Sequence, residues 1–456
     1  MAQILEILTV PTSGAYYNED LNALRKKALP ESERYTAAPI TPGFQKVREP
    51  AEALSVGLVL DTGQVAWGDC TTVAFSGLSG RDTIFRSQVG QDTIKNILTP
   101  ALVNRSLLPV RALLREIDQL LEMVIEEQPL PEIKSGDKMT RRELFTNAGR
   151  MLSASPHTKQ VTVERQLHSA IRYGVSQALF QAAAISQGKT IPEIICEEWN
   201  LTLPEKPVPI HAQCGNNRYQ GVEKMIIRRV SSLPHLLVDN IPEQLGKNAR
   251  QLIRYVKWIK HRILELGGKD YYPTIHLDIH GGLGIIFDQD PGKILGALYA
   301  LEKASHPYPL RIESPVICDS LKSQVEVLKT LREFIQFRNM NVQLVADEWA
   351  NTVENIQFFL DNEAVDMIQV KTPDMGSLHN TIDAVLVCQN RKVGTFIGGS
   401  CAETDLSARI SAQVALALQP EMILAKPGMG IDEGITIVKN EMDRTLAWIQ
   451  YKNKLR

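Results

Sequence analysis

Three apolar runs in the second half of the chain each end in a carboxylate, at Asp278, Glu313 and Asp347. Their spacings of 35 and 34 residues are about one strand–helix unit of an α/β protein. Because the carboxyl ends of parallel strands converge in such a fold, we expect the three side chains to face one another. Three close carboxylates repel one another unless a cation neutralises them, and all-oxygen ligands favour Mg²⁺ or Mn²⁺ over zinc. One such acid is commonly a helix cap, but three in phase favour a metal site.

A lysine and a histidine are the candidate acid–base groups. The apolar run Met367–Lys371 ends in Lys371, and Gln369 lies two residues earlier on the same face. Beside a metal ion and partly desolvated, Lys371 is expected to have a lower pKa than a free lysine, which suits a base that removes a proton from carbon. The alternative role is a counter-ion for the carboxylates. His235, just before the apolar run Leu236–Val238, is a candidate second base, and a structural histidine is the alternative.

Polar residues at two other strand ends are candidates for ligand contacts. Gln213 ends one apolar run, and Ser400 and Cys401 follow another. Cys401 lacks an obvious histidine partner, which favours a contact residue over a nucleophile. The glycine-rich stretches 280–284 and 426–430 lack the dinucleotide-binding and P-loop spacings and are interpreted as tight loops. A divalent ion beside a strong base indicates proton abstraction next to a carboxylate, through a metal-stabilised enediolate.

A repeated alternation of short apolar runs and longer helical segments, beginning near Pro207, would carry these residues. Eight such runs over roughly 240 residues match a closed β/α barrel better than an open sheet. The predicted strands are Val208–Gln213, Leu236–Val238, Thr274–Asp278, Leu310–Glu313, Val342–Asp347, Met367–Lys371, Thr395–Ile397 and Met422–Ala425.

The chain before this alternation predicts a small α+β domain, with a strand over Ala53–Leu60. A segment rich in Ser, Gly, Pro and charge, at about 126–160, is interpreted as a surface insertion or mobile excursion. Apolar residues at helical spacing follow from Leu167. The predicted domains are therefore an N-terminal domain at 1–205 and a barrel domain with a C-terminal helix at 206–456.

Composition excludes several classes of protein. The 456 residues are 44% hydrophobic and 22% charged, which is typical of a globular protein with a sizeable core. The net charge of −2 supplies no basic excess for nucleic acid or anionic membranes. No run reaches the roughly 18 apolar residues of a membrane span, and the N-terminal stretch lacks the basic residues of a signal peptide, so we expect a soluble cytoplasmic protein. The six cysteines are scattered, which fits neither a zinc ribbon nor a disulfide scaffold.

Seven stretches along the chain match a known family in register: Tyr16-Tyr17, 77–82, 170–174, 224–227, 345–349, 369–374 and 424–430. Matches in register of this length are far more specific than the three acids alone. On these stretches the sequence resembles the methylaspartate ammonia-lyases of the enolase superfamily along essentially its whole length.

The resemblance implies an N-terminal capping domain over a modified, TIM-like β/α barrel. It also implies the reversible elimination of ammonia from 3-methylaspartate to give mesaconate. By matching motif, Asp278, Glu313 and Asp347 would bind Mg²⁺, which also holds a substrate carboxylate. Lys371 would remove the C3 proton of the (2S,3S) substrate. His235 would act on the opposite face and serve the 3R epimer.

Further expectations come from the same resemblance. The substrate's carboxylates and amino group would be oriented by Gln213, His235, Gln369, Ser400 and Cys401. A monovalent cation such as K⁺ would activate the enzyme, with ligands that the resemblance does not assign. The protein would be a homodimer that acts on a small amino dicarboxylate in glutamate degradation, with neither nucleic acid nor membrane as a partner.

The chain departs from the family pattern near the expected substrate. Ser400 stands where the family usually has Thr, His211 where it has an aromatic residue, and Phe396 where it has Tyr. The tract 402–406 also replaces a more amide- and Arg-rich version. The metal ligands and both bases are intact, so these departures concern substrate preference and rate more than reaction type.

Three alternative functions remain. Other enolase-superfamily reactions, such as those of a dehydratase, cycloisomerase or racemase, usually need Lys-x-Lys or another base before the first metal ligand, and no Lys-x-Lys ends a strand between Pro207 and Asp278. A Schiff-base aldolase using Lys371 would not need three carboxylates. A homologue that only binds a dicarboxylate would tolerate the loss of Lys371 and His235.

Overall fold

The computed structural model divides the chain into two compact units. The first comprises Met1–Ile117 and His168–Arg456, and the second comprises Asp118–Leu167. All predicted site residues belong to the first unit. The residues that the structure describes are 2–27, 29–129, 158–214, 217–425, 428 and 430–455.

An antiparallel sheet of three strands forms the N-terminal part of the first unit. Strand β1 (Ile4–Glu19) pairs with β2 (Arg48–Leu60), which pairs with β3 (Val65–Cys70). Every second residue of β2 from Leu54 to Leu60 is fully buried, as expected when one face of a strand covers a core. The strand-rich N-terminal domain predicted from the sequence is confirmed.

The predicted β/α barrel is also confirmed. Its eight strands are β6 (Ile210–Gln213), β7 (Ser232–Leu236), β8 (Thr274–Asp278), β9 (Leu310–Glu313), β10 (Val342–Ala346), β11 (Met367–Val370), β12 (Gly394–Ile397) and β13 (Met422–Ala425). They are all parallel and close in the order β10-β11-β12-β13-β6-β7-β8-β9.

Helices alternate with these strands and cover the barrel, as the 3.6-residue apolar period predicts. The α-helices before the barrel are α1 (Leu21–Lys27), α2 (Ser87–Thr93), α3 (Thr99–Leu102), α4 (Val110–Ile117), α5 (Ser169–Gln187) and α6 (Ile191–Trp199). Those within and after it are α7 (Arg218–Ile227), α8 (Ile241–Gln244), α9 (Arg250–Leu266), α10 (Gly282–Ile286), α11 (Pro291–Ser305), α12 (Leu321–Phe337), α13 (Val353–Asp361), α14 (Thr372–Met375), α15 (Leu378–Asn390), α16 (Asp405–Leu418) and α17 (Ile431–Leu455). Shorter helical turns cover Glu31–Glu33, Ile94–Leu98 and Lys247–Ala249.

Four barrel strands, β6, β10, β11 and β12, differ from their predicted bounds by one or two residues, and β7 differs most. The apolar trio Leu236–Val238 predicted a strand, whereas β7 covers Ser232–Leu236. Ser232 pairs with Thr274 of β8, so neighbouring strands rather than local hydrophobicity set its start. His235 therefore lies within β7 and not before it.

The second unit is a two-stranded antiparallel ladder. Strand β4 (Leu121–Pro129) pairs with β5 (Thr158–Gln166), from Leu121 opposite Gln166 to Pro129 opposite Thr158. The segment at about 126–160, interpreted from the sequence as a surface insertion or mobile excursion, thus begins and ends in paired strands. Its middle, 130–157, lies outside the described residues.

Helix α5 packs closely on the N-terminal sheet because both elements carry a glycine at the contact. A Cβ atom on Gly68 of β3 would lie 2.1 Å from the carbonyl oxygen of Gly174 in α5. A Cβ atom on Gly174 would lie 2.4 Å from the backbone nitrogen of Cys70. The two backbones therefore approach within a distance that no larger residue permits.

Side chains also join the N-terminal part to the loops at the mouth of the barrel. Arg34 donates to Asp239, after β7, at 2.6 Å. The Asn351 amide, beyond β10, donates to the carbonyl oxygen of Ser79 at 2.6 Å. The N-terminal part thus covers the carboxyl ends of the barrel strands, where the predicted site residues lie.

Two features of the described residues bear on the classes considered from composition. All six cysteines are thiols. In the part of the chain that the structure describes, none of the helices has both the length and the apolar character to cross a membrane.

Candidate active site

The predicted acids and bases gather at the carboxyl ends of the barrel strands. Asp278 ends β8 and Glu313 ends β9, and the two are directly paired in the sheet register. Asp347 follows β10 and Lys371 follows β11. Strand order therefore places all four groups at the same end of the barrel.

The two candidate bases come from opposite sides of the barrel. His235 is on β7 and Lys371 follows β11. In the closed order, β7 and β11 are four strands apart in either direction. Each side chain therefore approaches the mouth from its own wall, so a small molecule between them presents opposite faces to them.

A cavity of about 50 Å³ joins most of the predicted residues. It is lined by Val73, Ala74, Phe75, Arg81, Gln213, His235, Leu237, Asp278, Asp347, Gln369, Lys371, Gly399, Ser400, Cys401 and Leu424. A larger cavity of about 460 Å³ shares Gln213, Leu237 and Cys401 with it. Since one water takes about 30 Å³ in the liquid, an amino dicarboxylate needs the adjoining space or a shift of side chains.

Glu313 lies fully buried beneath this cavity rather than on its wall. Its Oε2 accepts a hydrogen bond from His276 Nε2 at 2.7 Å, and Oε1 accepts one from the Gln369 amide. His235 Nε2 lies 3.4 Å from the same carboxylate. Burial lowers the pKa of His276 well below its usual value, so the neutral ring acts as the donor. Gln369, predicted to contact substrate, lines the cavity and also donates to Glu313.

Asp347 and Lys371 form an ion pair. Lys371 Nζ donates to Asp347 Oδ2 at 2.7 Å, and Arg81 Nη2 donates to Oδ1 at 3.2 Å. Burial works to lower the pKa of Lys371, but the carboxylates of Asp347, Asp374 and Glu348 together raise it. The lower pKa expected from the sequence concerned Lys371 beside a bound metal ion, and it stays a prediction.

A second acid, Glu348, lies beside Asp347 and contacts the loop after β8. His280 Nδ1 is 2.9 Å from Glu348 Oε1, and the Ser314 hydroxyl donates to Oε2. Burial works to raise the pKa of Glu348, but His280 and Arg81 hold it well below its usual range. Glu348 is therefore an ionised carboxylate inside the site.

Asp278 is buried among the other carboxylates of the site. Its Oδ1 accepts the backbone N–H of His280 at 2.9 Å. Burial and the charges of Glu313, Glu348 and Asp347 raise the pKa of Asp278 well above its usual value. Such a shift marks a place where negative charge lacks a compensating cation.

The donor set fits a divalent cation. Ligand atoms of His235, Asp278 and Glu313 lie within 4.8 Å of one another, as do those of His280, Asp347 and Glu348. The carboxylates outnumber the surrounding cationic side chains by five to three, which leaves two negative charges for a cation to neutralise. These groups are Asp278, Glu313, Asp347, Glu348 and Asp374, with Arg25, Arg81 and Lys371.

Tight turns follow three of the strands that carry acids. His280, Ser314 and Trp349 adopt positive φ angles of 49°, 45° and 68°. Non-glycine residues adopt this left-handed conformation only where their surroundings hold them. Trp349 is held by donating its Nε1–H to the Cys318 carbonyl at 2.9 Å.

Several side chains of the site were not among the predicted residues. Arg81 bridges Asp347 and Asp374, donating to Asp374 from Nε at 2.6 Å. His280 and Glu348 complete the acidic cluster. Glu348 directly follows Asp347, a predicted metal ligand, and this position in the sequence could have indicated that it belongs to the site. Arg81 comes from the N-terminal part, and only tertiary packing reveals its position.

Ser400 and Cys401 lie in the loop after β12 and line the cavity, as predicted. Burial raises the pKa of the Cys401 thiol to about 12. A thiol with that pKa is almost entirely protonated near neutral pH, so Cys401 is a poor nucleophile. His211, one of the departures from the family pattern, is buried beneath the cavity with its ring 4.4 Å from that of His276.

Comparison with known proteins identifies the family. The family model for the methylaspartate ammonia-lyase C-terminus matches residues 202–451, and that for the N-terminus matches 2–130 and 138–200. Methylaspartate ammonia-lyase 2 of Carboxydothermus hydrogenoformans is 40% identical, over 98% of this chain and 99% of its own.

Solved structures agree with the sequence comparison. The magnesium complex of β-methylaspartase from Clostridium tetanomorphum is 36% identical, with a TM-score of 0.82 over 99% of this chain and 100% of that one. The enzyme of Citrobacter amalonaticus containing (2S,3S)-3-methylaspartic acid is 36% identical, with a TM-score of 0.86 over 98% of this chain and 100% of its own. The L-Ala-D/L-Glu epimerase of Bacillus subtilis, at 16% identity and a TM-score of 0.59, shares the fold alone, over 94% of this chain and 91% of its own. Matches of this extent, over both halves of the chain, show that it belongs to the methylaspartate ammonia-lyase family of enzymes.

Proposed function

We propose that the protein is a Mg²⁺-dependent carbon–nitrogen lyase that eliminates ammonia from (2S,3S)-3-methylaspartate to give mesaconate. The relatives' names and the methylaspartic acid bound to the Citrobacter amalonaticus enzyme support the substrate. The observation that carries the proposal is the placement of Lys371 and His235 on opposite barrel walls around a cluster of buried carboxylates.

Asp278, Glu313 and Asp347 would hold the metal ion. Their acidic surroundings and the magnesium complex of the Clostridium tetanomorphum relative support Mg²⁺, with Mn²⁺ as the alternative. When bound, the ion supplies positive charge that stabilises the negative charge developing on a substrate carboxylate. His276 and Gln369 orient Glu313 through their hydrogen bonds to its two oxygens.

Lys371 would remove the C3 proton. It must be neutral to accept a proton, and its ion pair with Asp347 opposes the neutral form. If Asp347 shared its charge with a metal ion, its pull on the ammonium would weaken and the pKa of Lys371 would fall. The amine at Nζ can then take the proton from the face of the substrate that Lys371 lines.

His235 would serve the other face of the substrate. Its position on β7, across the barrel from Lys371, suits proton transfer at C3 of the 3R epimer. The substrate's carboxylates and amino group would be oriented by Gln213, His235, Gln369, Ser400 and Cys401, which all line the cavity. The N-terminal residues Val73–Phe75 line the same cavity.

Further parts of the proposal concern the protein beyond its site. We propose activation by K⁺, a homodimer, a cytoplasmic location and a role in glutamate degradation, all from the family resemblance. The division into a capping domain at 1–205 and a barrel domain at 206–456 also remains a prediction.

The proposal is tested by ultraviolet absorbance of the conjugated enoate. Purified protein would be mixed with (2S,3S)-3-methylaspartate, Mg²⁺ and K⁺, with and without EDTA, while released ammonia is measured. A metal-dependent rise in absorbance with matching ammonia is expected. Intact Mg²⁺ binding without any rise would contradict the proposed substrate and leave another acid, or binding without turnover, as the function.

A further inference from the structure

The hydroxyl of Tyr173 is the centre of a buried hydrogen-bond network beside the candidate active site. Tyr173 lies in α5 and is fully buried. Its hydroxyl donates to Glu403 Oε1 at 2.6 Å and lies 3.0 Å from the Ser411 hydroxyl. The Thr372 hydroxyl donates to it at 3.3 Å. One tyrosine thus joins an N-terminal helix to two segments of the barrel.

Glu403 carries the network to the loop that lines the cavity. Its Oε2 accepts the backbone N–H of Ser400 at 2.8 Å, and its side chain is almost fully buried. The Ser400 hydroxyl in turn accepts the backbone N–H of Ala402 at 3.1 Å. Each oxygen of the Glu403 carboxylate therefore has a set partner, one in α5 and one in the loop.

The second branch reaches the candidate base. Thr372 directly follows Lys371, and its hydroxyl is fixed by Tyr173. Lys371 itself is held separately by Asp347. Loss of the tyrosine hydroxyl therefore frees the Ser400–Cys401 loop more than it frees Lys371.

We propose that Tyr173 and Glu403 are positioning residues, which hold the loop of Ser400 and Cys401 in the conformation that binds substrate. This rests on the proposed function, because it is the substrate of that reaction that the loop would contact. Neither residue lines the cavity, so each acts through the loop and not by contact with substrate.

A kinetic test uses Tyr173→Phe and Glu403→Gln. Phenylalanine removes the hydroxyl alone. Glutamine keeps an acceptor for only one of the two donors, Tyr173 O–H and Ser400 N–H. Each variant is expected to raise KM for 3-methylaspartate about tenfold while kcat changes less than about threefold, since a buried bond to a charged group is lost but the base is not moved. The double variant should be little worse than either single one, because both break one network.

The matched control is Tyr271→Phe, which removes another buried hydroxyl that donates to the Val230 carbonyl at 2.7 Å away from the cavity. Its KM is expected to equal that of the wild type. A similar rise in KM in this control, or an unchanged KM in both network variants, would overturn the proposal.

A second measurement does not depend on turnover. Cys401 and Cys318 are both partly exposed, so their alkylation by iodoacetamide can be followed together by peptide mass spectrometry. Tyr173→Phe should speed alkylation of Cys401 severalfold and leave Cys318 unchanged. An unchanged Cys401, or equal acceleration at Cys318, would contradict the proposal. If the wild type fails to release ammonia from 3-methylaspartate, the proposed function is wrong, while this comparison still tests the positioning.

Discussion

Lys371 is the residue on which the proposed reaction depends most directly. Lys371→Ala is expected to lower turnover of (2S,3S)-3-methylaspartate by about 10²–10⁴-fold, the usual contribution of a general base. Binding of Mg²⁺, measured by calorimetry, should persist because the carboxylates remain. Lys293→Ala, at an exposed position, is the control and should keep full activity. Wild-type turnover by Lys371→Ala would refute the assignment.

His235 has a separate, stereochemical prediction. His235→Ala is expected to lose activity on the 3R epimer while it keeps most activity on the (2S,3S) substrate, since the two bases lie on opposite walls. Lys371→Ala and His235→Ala would each be assayed on both epimers, so that the epimer expected to be unaffected serves as the control for each variant. Equal losses on the two epimers would mean that His235 supports the site without acting on one face.

At the residue scale, the sequence was most informative where strand ends carry acids. Asp278, Glu313, Asp347 and Lys371 were predictable because the barrel period fixes where strand ends meet. Arg81 was not, since no local pattern shows that a loop of the N-terminal part reaches the barrel mouth. The raised pKa of Lys371 was also unpredictable, because it depends on which side chain Asp347 contacts.

At the element scale, the contact between α5 and β3 determines a stability prediction. Gly174→Ala is expected to destabilise the protein by about 1–3 kcal/mol, because the new Cβ atom would overlap the backbone of Cys70. Gly296→Ala is the matched control, at an exposed helical position where a Cβ atom meets nothing within 4 Å, and should stabilise by roughly 0.5–1 kcal/mol. Chemical denaturation measures both, and equal effects would contradict the packing argument.

Elements were predictable where apolar runs coincide with buried strands. The strand at Thr274–Asp278 was predicted with its observed bounds because every residue but the first is buried. The predicted start of β7 was wrong, because pairing with β8, and not local hydrophobicity, defines where this strand begins. The ladder of β4 and β5 was not predicted, because these two strands pair only with each other in the described structure and their composition is polar.

At the scale of the whole molecule, metal and proton compete for the same buried carboxylates. The pKa of Asp278 is raised, so its carboxyl group holds a proton more tightly in the folded metal-free protein than in the unfolded chain. The metal-free protein therefore loses stability as the pH rises from the usual pKa of an aspartate to the raised one. The lowered pKa of Glu348 acts in the opposite sense, but only below its usual range. A bound divalent ion needs ionised ligands.

The difference in Tm between Mg²⁺-loaded and EDTA-treated protein should therefore grow as the pH rises above the usual pKa of an aspartate. Differential scanning calorimetry measures it, and Asp278→Asn should reduce both the difference and its pH dependence. A difference that stays constant as the pH rises would show that Asp278 does not couple metal binding to stability.

The pairing of β4 with β5 has a consequence for the entropy of the chain. Leu121 lies opposite Gln166, so the two ends of this ladder are neighbours in space. The entropic cost of closing a loop grows with the logarithm of its length, by about 0.6 kcal/mol for each doubling. Residues added or removed between Pro129 and Thr158, the last pair of the ladder, are therefore expected to change the stability of the first unit little. This is a place where the chain can vary in length while the barrel and its N-terminal sheet keep their fold.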